Sequence, residues 1–480
     1  MGDRFGTRTR LVTALLSRQS LGLLTATIVL VVGTTVTPPA ALTVEGQRTL
    51  AVFLSALVLW LTRPVPYVVS SILSVTLLFV LGTVSSFSAA ATGFTSTLVF
   101  FLLLLLLLGD ATTSVGLDRQ LARRVLTADS TPRRALRSVA GSVLALALVM
   151  PSAMARAVTF IPIVKQLTAA FELDADSGFE SAAFLILGHV NPIASMALMT
   201  GGGMALVTSE IIATSVRPIT WVDWAVLMLP PTILLYTLAA LCAGLFAIGD
   251  EEMKMTTDMK NATQLETDGN GTTTLTREQR LVGIVLSGAV VTWIVGSFVG
   301  LPTVLPAVAA VVVLSIPSVG VITAEDIADV SWGIIFLIGA MLSILDVMEA
   351  TGTITAVIDV LARWIPFAVL APWQIVAVLI AIAVGIRIMF STGSAAIVVA
   401  LPIVLEFASV FGIDRLFLAL AVLLVVGSTT ILPFNTTAVL VSMDRGPLSH
   451  RDIASFGLVT MGLSLGVATV SWLVYWPLVT

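Results

Sequence analysis

Four stretches of the chain, residues 64–109, 281–324, 416–443 and 453–480, contain no Asp, Glu, Lys or Arg. A bilayer core is crossed by ~20 apolar residues in a helix, so each of the first two stretches is long enough for two crossings. In lipid every backbone N–H and C=O has to be bonded inside the chain, which helices achieve segment by segment. With 57% apolar and 11% charged residues over 480 positions, the chain reads as an all-α polytopic membrane protein from end to end. The net charge of −4 offers no basic surface for nucleic acid. Cys242 is the single cysteine, which excludes an intramolecular disulfide or a multi-cysteine metal centre. It reads as a small buried hydrophobe.

One pattern occurs twice. Met150 to Val164 and Phe390 to Val404 each begin with a short run of small and hydroxyl residues and close on Pro-Ile-Val, 240 residues apart. Smaller echoes run in the same order: Asp110 stands six residues before Gly116 and Asp346 six before Gly352, and Leu121-Ala-Arg123 returns as Leu361-Ala-Arg363. Two copies of one plan are expected. A polar, non-helical turn at membrane depth is tolerated only where protein buries it or where it lines a wet cavity, so the paired turns read as two half-sites for one solute.

Taken in order, the expected plan begins with an N-terminal segment and first helix over 1–42. A first repeat follows over 43–248 and contains a re-entrant hairpin at 138–170. A polar cytoplasmic linker over 249–279 leads to a second repeat over 280–480 with a hairpin at 371–412. Asn191-Pro192 and Thr200-Gly-Gly-Gly203 are expected to interrupt one helix, and Gly427-Ser-Thr-Thr430 with Pro433 to Thr437 its counterpart. Three glycines in a helix interior cost about 3 kcal/mol, enough to favour unwound backbone. An odd number of crossings separates equivalent helices, so the repeats are inverted. With about eleven crossings plus the two hairpins, 18 of the 24 Lys and Arg fall inside, four outside (Arg48, Arg217, Arg363, Arg415), and Arg156 and Arg387 within the hairpins. That bias puts the N-terminus in the cytoplasm of a multi-pass plasma-membrane protein.

The turns bring oxygen ligands and helix starts together. Ser152, Thr392 and Ser394 supply hydroxyls, unwound carbonyls supply hard oxygens for a cation, and the following helix N-termini supply N–H donors for an anion. Thr200, Gly201, Asn435 and Thr436 in the interrupted helices complete the cage, and the Asn435 amide can serve either charge. The plainer reading of each hydroxyl is a bond back to its own helix. An arginine inside a bilayer is a functional hypothesis with a partner to be named. Arg156, four residues past Ser152, points to an anion. The alternative for Arg156 and Arg387 is snorkelling or pairing with Asp110 or Asp346. Those aspartates and His189 could also form a proton path or simply satisfy helix ends. Only two histidines, His189 and His450, are present, and no His-Glu-x-x-His motif, so an enzyme is not expected.

These residues carry a resemblance. Thr43 to Leu50, Leu59 to Pro66, the hydroxyl turns ten residues before Pro162 and Pro402, and the inverted plan resemble the divalent anion:sodium symporter family, over about residues 43–478. The resemblance implies a Ser-Asn-Thr triplet at each hairpin tip that holds substrate and sodium. The corresponding positions here read Ser152-Ala153-Met154 and Thr392-Gly393-Ser394. Together with Arg156 and Asn435 as read above from the residues, it gives expected substrate contacts from Ser152, Arg156, Thr392, Gly393, Ser394, Thr200, Asn435 and Thr436, and expected sodium contacts from Ser152, Gly201, Thr392, Ser394 and Asn435. No cofactor beyond a coupling sodium ion is implied. The partners are a small anionic solute, the lipid bilayer and a second copy in a homodimer with elevator-type motion. Met154 offers no hard oxygen, so Arg156 is expected to stand in for one sodium. Other readings stay open: a sodium/proton antiporter or arsenite-type permease, and an anion channel.

Overall fold

The structure, a computed structural model, describes residues 18–39, 42–117, 120, 131–148, 150–247, 275–364 and 367–480. The arginines before Arg18, the basic residues Arg119, Arg123 and Arg124, the first copy of the Leu121 to Arg123 echo and most of the expected linker lie outside the described residues. All regular structure among the described residues is helical. Eight helices there are long and apolar enough to cross a membrane, and five shorter apolar helices accompany them. The chain is an all-α, multi-pass membrane protein.

Contacts divide it into two units, and each draws on both halves of the sequence. The first comprises the chain up to Phe100 together with Ser331–Ile375. It holds α1 (Arg18–Thr35), α2 (Val44–Thr62), α3 (Tyr67–Val80) and the first residues of α4 (Thr97–Ser114). Its later elements are α13 (Trp332–Ala350) and α14 (Thr353–Trp364). α2 starts where Thr43 caps it, accepting from Gly46 N at 2.9 Å. It ends at Arg63, left-handed with φ 49°, because Pro64 disfavours continuing the α conformation. α13 packs on α3 and on the single 3₁₀ turn Thr92–Thr95. Asp346 lies in this unit and accepts from Thr92 Oγ1 at 2.9 Å.

The second unit comprises Phe101–Val330 and Val376–Thr480 and contains the first hairpin and, from Val376 on, the second. The first hairpin is α5 (Pro132–Ala147) and α6 (Ala153–Ala170); the second is α15 (Pro372–Met389) and α16 (Gly393–Val410). α5 begins six residues earlier than expected from the sequence. Thr131 caps it and Pro132 fills its first position, where a missing N–H costs nothing.

The two interrupted helices follow the hairpins. α7 (Gly178–Leu185) continues through a π-helical stretch, Ile186–Val190, and a last turn, Asn191–Ala194. Asn191-Pro192 thus does not break the helix as expected. The proline ring would meet the carbonyl four residues back, Gly188, and the wider π turn just before it moves that carbonyl aside. The same device recurs at Ser471–Tyr475, ahead of Pro477. The actual break lies between Ser195 and Gly202, after which α8 (Gly203–Ser215) begins. In the second half α17 (Arg415–Ser428) gives way to α18 (Thr437–Arg445). α9 (Trp221–Ala247), α10 (Arg277–Val299), α11 (Val304–Ser315), the short α12 (Ala324–Asp329) and α19 (His450–Val470) complete the unit. α10 starts on a Thr276/Gln279 capping box, so the end of the expected linker is helical. The packing crosses between the halves: α8 lies on α16, and α18 lies on α6.

Candidate functional site

Each hairpin turn places a hydroxyl at the start of its return helix. Ser152 Oγ accepts from Ala155 N at 3.2 Å, and Thr392 Oγ1 accepts from Ala395 N at 3.4 Å. Capping satisfies one of the four N–H groups a helix start leaves open and keeps its partial positive charge directed at the turn. The plainer reading of these two hydroxyls therefore holds locally, and each still has its O–H hydrogen to donate. The breaks repeat the device. Thr436 Oγ1 accepts from Val439 N at 3.1 Å at the start of α18. α8 starts from Gly202 in fully extended backbone, φ 170° and ψ 167°.

Close approaches show what these starts face. A Cβ on Gly203 would come within 2.8 Å of Ser394 Oγ, and one on Gly393 within 2.0 Å of Met204 Sδ, so the second tip touches the start of α8. A Cβ on Gly202 would stand 2.9 Å from Ser195 Cβ and 3.4 Å from the Pro151 carbonyl, so the first tip meets the same break. Both tips thus converge on the segment from Ser195 to Met204. Thr200 Oγ1, within that segment, accepts from Trp221 Nε1 at 3.2 Å. Met154 of the first tip is half exposed.

Arg156 is fully buried. Its guanidinium donates from Nε to Asn191 Oδ1 at 2.7 Å, from Nη1 to the Met150 carbonyl, and from Nη2 to Ser195 Oγ at 2.7 Å and the Asn191 carbonyl at 3.2 Å. Arg387, also fully buried, donates to the carbonyls of Val426 at 3.0 Å, Phe390 at 3.0 Å and Asn435 at 2.9 Å. Neither snorkels, and the partners are carbonyl, amide and hydroxyl oxygens rather than Asp110 or Asp346. Such bonds from a charged donor are the stronger kind and fix the turn against the neighbouring broken helix.

Two asparagines finish the clamps. Asn435 Nδ2 donates to the carbonyls of Ile388 at 3.0 Å and Phe390 at 2.9 Å, and its Oδ1 accepts from Leu432 N at 2.9 Å. Asn191, which the sequence offered only as a helix interruption, donates from Nδ2 to the Ala153 carbonyl at 2.7 Å and the Leu187 carbonyl at 3.2 Å. An Asn in the apolar run that follows Glu180 was the signal available for it. His189 lies two residues earlier, in the π-helical stretch. Its Nε2 stands 3.2 Å from the Ile453 carbonyl and its ring meets Phe456 edge-on at 5.3 Å.

The arrangement gathers four helix starts at the tips and breaks, with two buried guanidinium groups bonded to the turn carbonyls. Comparisons with known proteins agree with a transport function. Residues 17–480 match the family described as the sodium:sulfate symporter transmembrane region. A protein of Cupriavidus necator named only as a membrane protein is 25% identical over 479 residues, covering 95% of this chain and 92% of that one. The crystal structure of the Alcanivorax borkumensis YdaH transporter, reported to have an unusual topology, has the same fold with a TM-score of 0.51 at 14% identity, covering 94% of this chain and 95% of the other.

Proposed function

The chain belongs to the sodium:sulfate symporter family and is a secondary transporter, and from that premise we propose that its solute is a small multivalent anion, a di- or tricarboxylate or sulfate, held between the two hairpin tips. The observation that carries this reading is the meeting of both tips at one broken helix, Gly202 against Pro151 and Gly203 against Ser394. Helix starts favour negative charge, and those of α6, α8, α16 and α18 all open at the tips and breaks. Ser152, Thr200, Thr392, Gly393, Ser394 and Thr436 are the contacts proposed for the anion, with Arg156 adding positive charge from behind. Asn435 acts by holding the second tip, since both ends of its amide bond the turn.

Sodium is the coupling ion in this reading, held by oxygens around Ser152, Gly201, Thr392 and Ser394. The protein works as a homodimer in which the hairpin-bearing unit moves, with its N-terminus in the cytoplasm. Uptake of labelled sulfate and succinate into proteoliposomes, under an inward sodium gradient, a proton gradient or neither, tests this. Uphill uptake that needs sodium is the expected result. Proton-driven uptake or exchange would instead assign the missing sodium to Arg156. Flux that no gradient drives uphill would make the protein a channel, and no flux of either anion would overturn the solute class.

A further inference from the structure

A cavity lies away from the tips, between the first arm of the first hairpin and α9. Its volume is about 470 Å³, within the range of ~300–1,000 Å³ usual for small-molecule sites. Arg133 and Arg137 stand at one end. From there the walls are apolar, with Leu136, Ala140, Gly141 and Leu144 on α5 and Ala240, Leu241, Gly244 and Leu245 on α9. The two helices run antiparallel: a Cβ on Gly244 would meet Leu136 Cδ2 at 3.6 Å, and Tyr236 Oη donates to the Ala140 carbonyl at 2.7 Å. From Arg133 to Leu144 the groove is about 16 Å long at the helical rise of 1.5 Å per residue.

The two ends ask for different chemistry. Both arginines are exposed, as are Gly141, Leu241 and Leu245, so the groove opens on the outer surface of the protein. An apolar groove open at the surface of a membrane protein is accessible to a lipid chain. Arg133 and Arg137 sit one turn apart, on one face of the first turns of α5. The positive-inside rule puts that basic end at the cytoplasmic headgroup level, where anionic lipid is attracted. We propose that this groove holds one acyl chain of an anionic phospholipid, with the lipid phosphate bonded by Arg133 and Arg137. The chain would lie along the arm that ends at the Met150 turn.

Gly141 supplies the test, because a Cβ there meets nothing within 4 Å. Gly141→Phe puts a bulky side chain into the groove from a position whose Cβ has open space, and an added side chain favours an α-helix over glycine. Wild type, Gly141→Phe and Arg133→Gln/Arg137→Gln are purified in detergent. Their thermal unfolding is then followed with added phosphatidylglycerol, phosphatidylcholine or inorganic phosphate, and retained lipid is counted by native mass spectrometry. Phosphatidylglycerol should raise the wild-type Tm by about 2–4 °C and remain bound, while phosphatidylcholine does neither. Both variants should match the lipid-free wild type and lose the shift. Equal shifts from both lipids, or an unchanged phosphatidylglycerol shift in either variant, overturn the proposal. A shift reproduced by inorganic phosphate alone also overturns it, because the arginines would then bind a free anion.

Discussion

Arg156 and Arg387 stand on opposite arms of their hairpins, yet each donates to the carbonyl that opens its turn, Met150 for the first and Phe390 for the second. Arg156 reaches back from the return helix, and Arg387 reaches forward from the entry helix. The two halves of the chain thus reach one solution, a guanidinium clamp on the turn, through different positions.

Arg156→Ala should remove transport and also lower stability. It leaves the Met150 carbonyl and the Asn191 side chain without their partner, at about 1–3 kcal/mol for each buried group orphaned. Thermal unfolding in detergent reads this directly. An Arg156→Ala protein as stable as wild type would mean that the arginine serves only the solute.

Asn191→Leu should cost as much transport as Asn435→Ala, although Asn191 stays within a continuous helix and Asn435 lies at a break. Each loses two donated bonds and one accepted bond; Asn191 donates to Ala153 at the first tip and to Leu187 in its own helix, and Asn435 donates to Ile388 and Phe390 at the second tip. Labelled-anion uptake compared at equal protein in the membrane checks it.

Gly201→Ala should be severe and Gly393→Ala mild. The first places Cβ 2.7 Å from the Ser195 carbonyl oxygen, which is backbone and cannot step aside. The second meets the end of the Met204 side chain, which has other rotamers available. We expect Gly201→Ala to lose most uptake and Gly393→Ala to keep at least about half, since rotamer shifts cost only about 1 kcal/mol. Similar losses in both would remove the distinction between backbone and side-chain contact.

Thr323 and Asp326 form a capping box at α12, and the bonds from the Thr323 hydroxyl and N–H hold the Asp326 carboxyl below its usual pKa. A depressed carboxyl contributes stability that is present above the unfolded-state value near 3.8 and is lost as pH falls through the lower folded value. Thr323→Ala should remove that contribution, about 0.5–1 kcal/mol for an exposed cap. Its deficit against wild type should be visible near neutral pH and shrink in acid. Unfolding curves at a series of pH values decide it.

Several elements were legible because the chemistry that makes them is local. Hydroxyl residues beside Pro or Gly in charge-free runs located both turns, and the Gly triplet located the break before α8. Other features depend on what lies across space. Asn191-Pro192 looks like punctuation, and only the π turn ahead of the proline shows that the helix survives and presents the amide to the first tip. The start of α5 lies ahead of the expected 138 because Arg133, Arg134 and Arg137 occupy helix positions capped by Thr131 although they are not membrane-like. α14 was missed for a similar reason. It follows the left-handed Gly352, and its alternation of apolar and polar residues does not resemble a membrane crossing.

The crossed packing of α8 on α16 and α18 on α6 bears on how such a chain can be recombined. A chimera joined at the linker, taking one half from a distant relative, would mismatch both interfaces at once. An exchange of the first hairpin together with α18, or of the second together with α8, would carry matched surfaces. The exchangeable parts of this protein are therefore discontinuous in sequence.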